Sequence, residues 1–210
     1  MRALFAFLAI VTGLFTFTLR AEEIMTPEKK EVAIFTMGCF WCGESEFRNP
    51  DSGKPLPGIL SLQVGYAGGT KSNPTYESHQ GYKEAVKIEF NPSIISYEKL
   101  LDIFWHNVDP FDGKGQFCDK GSPYTSVIYY HDEAQKNAAL ASLQNTQKVL
   151  GKKIVTELLP ATTFYDAEEY HQDYKEKNPV RYKFYRWNCG RDERLKEVWG
   201  GSTASHEGQK

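Results

Sequence analysis

A glycine and a cysteine stand where an apolar strand gives way to a helix. Residues 31–37 are apolar and β-branched, Gly38 can make the turn, and the segment from Cys42 to Phe47 is typical of a helix. We therefore expect Cys39 at the helix N-terminus, among unpaired backbone N–H groups. A partly buried helix end supplies up to about 2 kcal/mol, enough to lower a thiol pKa from about 8.5 to about 7. The pattern predicts a thiolate at Cys39 that needs no cationic neighbour.

Length and charge limit the classes of protein that the chain can belong to. It has 210 residues, of which 40% are hydrophobic, so one globular domain with a real core is expected. Its 25 Lys+Arg residues are balanced by 27 Asp+Glu residues, for a net charge of −2. Without a long basic run, nothing in this balance points to nucleic acid or anionic lipid. A neutral or mixed substrate is favoured, and we expect a monomer.

Both ends of the chain differ from its centre. Residues 1–21 combine a short basic start with an apolar stretch and are predicted to be a secretory signal peptide, so the protein would be exported, periplasmic or extracellular. The alternative is a membrane anchor through residues 3–19, although this stretch is short of the roughly 20 residues that span a bilayer comfortably. Residues 200–210 are polar and Gly/Ser-rich, and we predict a disordered tail. No stable membrane domain is expected in residues 31–199, the predicted folded domain.

Strand and helix patterns mix along residues 31–199 without strict βαβ alternation. Strands are predicted at 31–37, 61–66, 84–90, 124–130 and 154–159. Helices are predicted at 40–48, at 96–107 behind Ser96, at 133–149 behind Asp132, and at about 167–175. This arrangement predicts an α+β fold with a partly antiparallel sheet. The long connections at 66–83 and 109–123 are the expected places for a pocket.

The chain has four cysteines, Cys39, Cys42, Cys118 and Cys189. An even number in an exported protein ordinarily indicates structural disulfides, which would suit a disulfide-stapled binding domain. Cys39 and Cys42 form a Cys-x-x-Cys motif at a helix start, which favours redox chemistry and makes a thiol–disulfide oxidoreductase an alternative. Cys118 is interpreted as a small buried residue, the usual fate of a free cysteine. The cysteines alone leave these interpretations open.

Six motifs follow one another along residues 33–199. They are Gly38-Cys39-Phe40-Trp41, Gly65-Tyr66-Ala67-Gly68-Gly69, Asn73-Pro74-Thr75-Tyr76, Glu84-Ala85-Val86, Asp119-Lys120-Gly121 before Tyr124, and Tyr170-His171-Gln172-Asp173-Tyr174. Together they resemble the A-type peptide methionine sulfoxide reductases. The resemblance implies that the S epimer of methionine sulfoxide, free or in proteins, is reduced with electrons from a thioredoxin-like reductant and without metal or organic cofactor. It also implies a single two-layer α+β domain with a mixed, partly antiparallel sheet, flanking helices and long loops, so that residues 31–199 would be the catalytic domain.

Reducing a sulfoxide needs a soft nucleophile for the sulfur and an acid for the departing oxygen. By resemblance the nucleophile is Cys39 and the acid is Glu84. The resemblance also implies that Tyr66 and Tyr124 hold the sulfoxide oxygen. Phe40 and Trp41 would form the apolar wall, and Asp119 would orient the substrate main chain. An acid still protonated near pH 7 needs its pKa raised by nearly three units from about 4.3. Burial against aromatic rings acts in that direction.

The attack leaves Cys39 as a sulfenic acid, which condenses with a second thiol. The family usually keeps its resolving cysteine near the C-terminus, so Cys189 is expected in this role. Cys42 is the alternative, either as the resolving thiol or as a relay. Many family members carry glycine where this chain has Cys42, and the common arginine after the pocket tyrosine is replaced by Thr125.

Overall fold

A six-stranded mixed sheet organises the computed structural model, which describes residues 29–200. The strands are β1 (Glu31–Thr36), β2 (Ile59–Ala67), β3 (Lys83–Phe90), β4 (Gly115–Gln116), β5 (Asp119–Lys120), β6 (Val127–Tyr130), β7 (Glu157–Pro160) and β8 (Tyr165–Asp166). The main sheet has the order β7-β6-β1-β3-β2-β8, and β4 pairs with β5 in a separate ribbon. The β6–β7 pair is parallel and the other pairs are antiparallel. The predicted α+β fold with a mixed, partly antiparallel sheet is confirmed.

Helices follow the strands in the positions that the capping residues predict, with two additions. They are α1 (Phe40–Glu46), α2 (Tyr97–His106), α3 (Glu133–Leu150), α4 (Tyr174–Lys177), α5 (Pro179–Asn188) and α6 (Arg191–Trp199). Ser96 and Asp132 cap α2 and α3 by accepting backbone N–H bonds. The helix predicted at 167–175 is instead a 3₁₀ turn, Glu169–His171, followed by α4. Helices α5 and α6 were not predicted. None of the helices within residues 29–200 is long and apolar enough to cross a membrane.

The main core lies on one face of the sheet, under the helices. Alternate residues of β3 face the same way, and Val86, Ile88 and Phe90 join Phe35 and Phe104 in this core. Burying each such side chain contributes about 1.5–3 kcal/mol. The opposite face carries only a small cluster: Ile34, Ala67, Ala85, Val127 and Tyr129. Glu84 shares the alternation of Val86, and its side chain therefore points toward α1.

The predicted terminal segments lie outside residues 29–200. The predicted signal peptide at residues 1–21, its alternative as an anchor at 3–19, and the predicted tail beyond Gly200 all lie outside the described residues. These remain predictions.

Candidate active site

Cys39 is the N-cap residue of α1. The turn before it needs a glycine, because Gly38 has a φ of +82° and a Cβ there would stand 2.6 Å from Cβ of Gln116. The carbonyl of Cys39 accepts hydrogen bonds from the backbone N–H groups of Cys42 and Gly43, both at 3.1 Å. The predicted position of Cys39 at the start of the helix is confirmed.

The first N–H group of α1 is bound to a carboxyl group. The backbone N–H of Phe40 donates to Oε2 of Glu84 at 2.9 Å, and Glu84 is only 2% exposed. Burial raises the pKa of Glu84 to about 8, against the opposing effect of the hydrogen bonds from Phe40 and from the hydroxyl of Tyr124. The carboxyl group is therefore protonated at neutral pH, as the acid in sulfoxide reduction must be.

The thiol of Cys39 does not behave as predicted. Burial raises its pKa well above the ordinary value, and the adjacent Cys42 and Glu84 add to this, whereas a hydrogen bond with Tyr185 lowers it. The predicted depression of the pKa by the helix end alone is wrong, because burial outweighs it. The first N–H group of the helix binds Glu84, and the side chain of Cys39 has no capping bond.

The acidic thiol of the Cys-x-x-Cys motif is Cys42. A hydrogen bond from Cys39 and the positive charges of Arg191 and Arg186 lower the pKa of Cys42 to about 7. The two thiols are both buried and unbonded, at 6% and 2% exposure, and they titrate as a pair. One thiolate is therefore shared by the pair, and a proton shift between the two sulfurs places it on Cys39.

An aromatic cluster lies beside the thiol pair. The Trp41 ring stacks on Tyr174 with centroids 3.7 Å apart, and its Nε1–H donates to Nδ1 of His171 at 3.0 Å. Phe40 packs 5.0 Å from the His171 ring, and Tyr76 packs 4.5 Å from the same ring. Burial lowers the pKa of His171, so the imidazole is neutral. The cluster is an apolar, uncharged wall of the kind predicted for Phe40 and Trp41.

The two tyrosines predicted to hold the sulfoxide oxygen differ in their surroundings. Tyr66 is the cross-strand partner of Glu84, but its hydroxyl donates to Oε2 of Glu168 at 3.0 Å. Tyr124 hydrogen-bonds with Glu84, and the charges of Asp119 and Cys39 reach its hydroxyl as well. The structure thus brings Tyr124, rather than Tyr66, directly to the acid.

A residue that the sequence analysis did not single out connects several of these groups. Tyr185, on α5, hydrogen-bonds with Cys39 and donates from its hydroxyl to Oδ2 of Asp119 at 2.5 Å. It stands in the aromatic run of residues 182–187. The helical spacing of the aromatic residues in that run is the sequence signal that could have identified Tyr185.

Cys118 and Cys189 are joined by a disulfide, with their Cα atoms 4.9 Å apart. Cys118 is exposed, so its interpretation as a small buried residue is wrong. Donor atoms of Cys118, Asp119 and Cys189 lie within 4.8 Å of one another, but the disulfide removes both thiolates as metal ligands. Because Cys39 and Cys42 are free, the four cysteines do not form the two inert pairs of a stapled binding domain. The expected role of Cys189 in resolving Cys39 stays a prediction.

The segment behind the aromatic cluster is held by hydrogen bonds. The side-chain amide of Gln172 both accepts from the N–H of Val64 and donates to its carbonyl, each at 2.9 Å. Arg48 joins Glu44 of α1 to Asp173. Residues 171–173 therefore form a hydrogen-bonded structural cluster that fixes the wall against α1.

Comparisons with known proteins agree with this geometry. The family model "Peptide methionine sulfoxide reductase" matches residues 31–203. The chain is 41% identical to peptide methionine sulfoxide reductase MsrA 2 of Rhizobium meliloti over 202 residues, 95% of each chain. It is similar to reduced Mxr1 from Saccharomyces cerevisiae, with a TM-score of 0.66, 32% identity and coverage of 74% of this chain and 89% of that one. It also matches Mxr1 in complex with Trx2, with a TM-score of 0.50, 26% identity and coverage of 71% and 87%.

The family match covers the turn with Cys39, the strand with Glu84 and the loop with Tyr124, which are the elements that build the site. The chain belongs to the peptide methionine sulfoxide reductase family.

Proposed function

We propose that the protein reduces the S epimer of methionine sulfoxide, free or in proteins, to methionine. The observation that carries this is the buried, protonated carboxyl of Glu84 bound to the first N–H group after Cys39. The Cys39 thiolate attacks the sulfoxide sulfur, and Glu84 protonates the departing oxygen. The hydroxyl passes from the substrate sulfur to Sγ of Cys39 as the bond between the two sulfurs breaks, so that methionine leaves and Cys39 is left as a sulfenic acid.

The surroundings of Cys39 suit this substrate. The methyl group and sulfur lie against Phe40 and Trp41, where sulfur–aromatic contacts contribute about 0.3–1.5 kcal/mol. The oxygen is directed toward Tyr124 and Tyr66, and Asp119 orients the substrate main chain. With 6% exposure, Cys39 is reached only by a group that enters between the rings, which favours an unbranched side chain such as that of methionine sulfoxide.

The sulfenic acid is then resolved within the chain. Cys42 is hydrogen-bonded to Cys39, and its lowered pKa supplies a thiolate. Its attack on Sγ of Cys39 forms a disulfide and releases the oxygen as water. Cys189, the resolving thiol that the sequence led us to expect, is the alternative. A thioredoxin-like protein supplies the electrons that return the enzyme to the thiol state, a proposal that the similarity to Mxr1 in complex with Trx2 supports.

Single-turnover assays test the proposal. Reduced protein is mixed without oxygen with peptides that carry either the S or the R epimer, and methionine is quantified. We expect reduction of the S epimer alone, loss of the reaction in Cys39→Ser, and wild-type behaviour in the surface control Ser93→Ala. A protein that reduces insulin disulfides but neither epimer would be a thiol–disulfide oxidoreductase instead.

We further propose that the protein works outside the cytosol, as a monomer. The apolar N-terminal pattern and a disulfide with an exposed sulfur support an exported enzyme, because such bonds persist in oxidising compartments. Cell fractionation with mass analysis of the N-terminus tests export against anchoring through residues 3–19. Light scattering of the mature protein tests the monomer.

A further inference from the structure

We propose that the reduced protein binds one Zn²⁺ ion through Cys118, Asp119 and Cys189, and that the bound ion blocks the approach of the peptide substrate to Asp119. The metal binding goes beyond the proposed function, whereas its effect on the reaction rests on that function. The site forms only when the Cys118–Cys189 disulfide is reduced, because zinc binds thiolates. Zinc therefore acts on the reduced protein alone.

The three ligand atoms lie close together. Sγ of Cys118, a carboxylate oxygen of Asp119 and Sγ of Cys189 are within 4.8 Å of one another. Oδ2 of Asp119 is 4.0 Å from Sγ of Cys189. In a tetrahedral zinc site, a sulfur and an oxygen ligand are about 3.6 Å apart and two sulfur ligands about 3.8 Å. Reduction frees the two sulfurs to separate, and the exposed side chain of Cys118 can rotate, so side-chain movements complete the site.

The carboxylate of Asp119 is held in place by a neighbour. The hydroxyl of Tyr185 donates to its Oδ2 atom at 2.5 Å. A carboxylate oxygen has two lone pairs, so Oδ2 can accept this hydrogen bond and still bind a metal. Carboxylates that bind metals are themselves hydrogen-bonded, which fixes their orientation. Tyr185 is therefore a positioning residue of the site.

The chemistry of the ligands selects zinc. Thiolates are soft ligands, which favour Zn²⁺ over Mg²⁺ or Ca²⁺. Two thiolates and one carboxylate exceed the charge of the ion by one, and the positive charges of Arg191 and Lys120, which act on Asp119, offset this excess. Three protein ligands leave a fourth position for water. Each thiol releases its proton to the solvent on binding, so the affinity should rise with pH.

The bound ion competes with the substrate. Asp119 is proposed to orient the substrate main chain, and a carboxylate that binds Zn²⁺ cannot serve a peptide at the same time. Its partner Tyr185 also hydrogen-bonds with Cys39, so the metal site adjoins the nucleophile. Because Cys118 is exposed, the ion enters from the solvent and a stronger chelator can remove it. Inhibition by zinc is therefore reversible.

Metal binding tests the site without any measurement of activity. The double variant Cys39→Ser/Cys42→Ser keeps only the other two cysteines. It is reduced, freed of reductant without oxygen, and titrated with Co²⁺, which shows charge-transfer absorption when thiolates bind it and is then displaced by Zn²⁺. We expect one ion per chain, no binding after the disulfide is formed again, and loss of the absorption when Cys118→Ser is added. Absorption that persists with Cys118→Ser, or none in the reduced double variant, would overturn the site.

The two remaining side chains are tested in the same double variant. Asp119→Asn removes the charged oxygen ligand, and Tyr185→Phe removes the hydrogen bond that positions it. We expect Tyr185→Phe to weaken the affinity for Zn²⁺ by about 10–100-fold and Asp119→Asn to weaken it at least as much. Ser122→Ala, an exposed position nearby, is the matched control and should bind like its parent. Affinities equal to that of the control in both variants would overturn the assignment of Asp119 as a ligand.

Single-turnover assays test the effect on the reaction. Each reduced protein is compared with itself, with and without one equivalent of Zn²⁺. We expect the wild type to lose most of its reduction of a sulfoxide peptide and to recover it with EDTA, whereas zinc should leave the rate of Cys118→Ser unchanged. Equal inhibition of both proteins would assign the effect to Cys39 and Cys42 and overturn the proposed block. A protein that binds the metal but reduces no sulfoxide in its absence would overturn the proposed function and leave the metal site standing.

Discussion

The backbone N–H of Phe40 and the carboxyl group of Glu84 are joined by a 2.9 Å hydrogen bond. The bond couples the first turn of α1 to the middle strand pair of the sheet and places the acid against the residue that follows Cys39. This N–H group is therefore not available to the sulfur of Cys39, whose pKa is raised by burial. The same bond limits how far the pKa of Glu84 rises, and the hydrogen bond with Tyr185 is the contact that lowers the pKa of Cys39.

Replacing the acid tests its role most directly. We expect Glu84→Gln to slow the single-turnover reduction of a sulfoxide peptide by about 10²–10⁴-fold, because the amide cannot donate a proton to the departing oxygen. Glu89→Gln lies on the same strand but on the opposite alternation and serves as the matched control. Quenched-flow measurement of methionine gives the rate. An unchanged rate in Glu84→Gln would remove this residue from the acid role.

The pH dependence of the reaction follows from the same carboxyl group. Glu84 is the protonated acid below its pKa of about 8, so the single-turnover rate should fall as the pH rises through about 8. Tyr124→Phe removes a hydrogen bond that lowers this pKa, and the descending limb should therefore move to higher pH. Glu84→Gln should lack the limb. A descending limb that is the same in all three proteins would assign the titration to another group.

Tyr185 should control the acidity of the nucleophile. Its hydrogen bond lowers the pKa of Cys39, so Tyr185→Phe should raise that pKa further and slow alkylation of Cys39 at neutral pH. The measurement is the rate of iodoacetamide labelling against pH, with mass analysis to separate Cys39 from Cys42. Tyr130→Phe, on β6, is the control and should label like the wild type. Equal labelling of Cys39 in Tyr185→Phe would contradict the assigned bond.

The close approach of Gly65 to the backbone of Tyr165, beside the site, predicts that a side chain at Gly65 lowers the stability of the protein. A Cβ at Gly65 would stand 2.1 Å from the carbonyl oxygen of Tyr165, so Gly65→Ala must separate β2 from β8. We expect a loss of about 2 kcal/mol or more, which is a fall in Tm of about 4–8 °C. In the control Gly113→Ala, the nearest atom is an ordinary 3.6 Å away. Similar Tm values for the two variants would show that the strands relax freely.

Local pattern was sufficient for the parts of the fold whose signals lie within a few residues. Ser96 and Asp132 marked the two long helices because a capping side chain sits next to the N–H groups it binds. The strands around Cys39 and Glu84 were predictable from runs of apolar and β-branched residues. Helix α5 was missed because Val180, Phe184 and Trp187 leave apolar surface exposed, so its hydrophobic pattern does not mark a buried face.

The chemistry of the site depends on contacts that are distant along the chain. The pKa of Cys39 could not be predicted from its helix end, because burial and the contacts with Glu84 and Tyr185 come from segments that are distant along the chain. The Cys118–Cys189 bond spans 71 residues, and nothing in the spacing of four cysteines selects that pairing. Tyr185 enters the site only because α5 packs over α1.

The long span of the Cys118–Cys189 disulfide makes the thermal stability of the enzyme depend on its redox state. Closing a loop of 71 residues in the unfolded chain makes unfolding less favourable by about 4 kcal/mol in the chain-entropy view. The protein should therefore have a higher Tm when this disulfide is formed than when its two thiols are reduced. The Tm would then report whether this disulfide is oxidised or reduced.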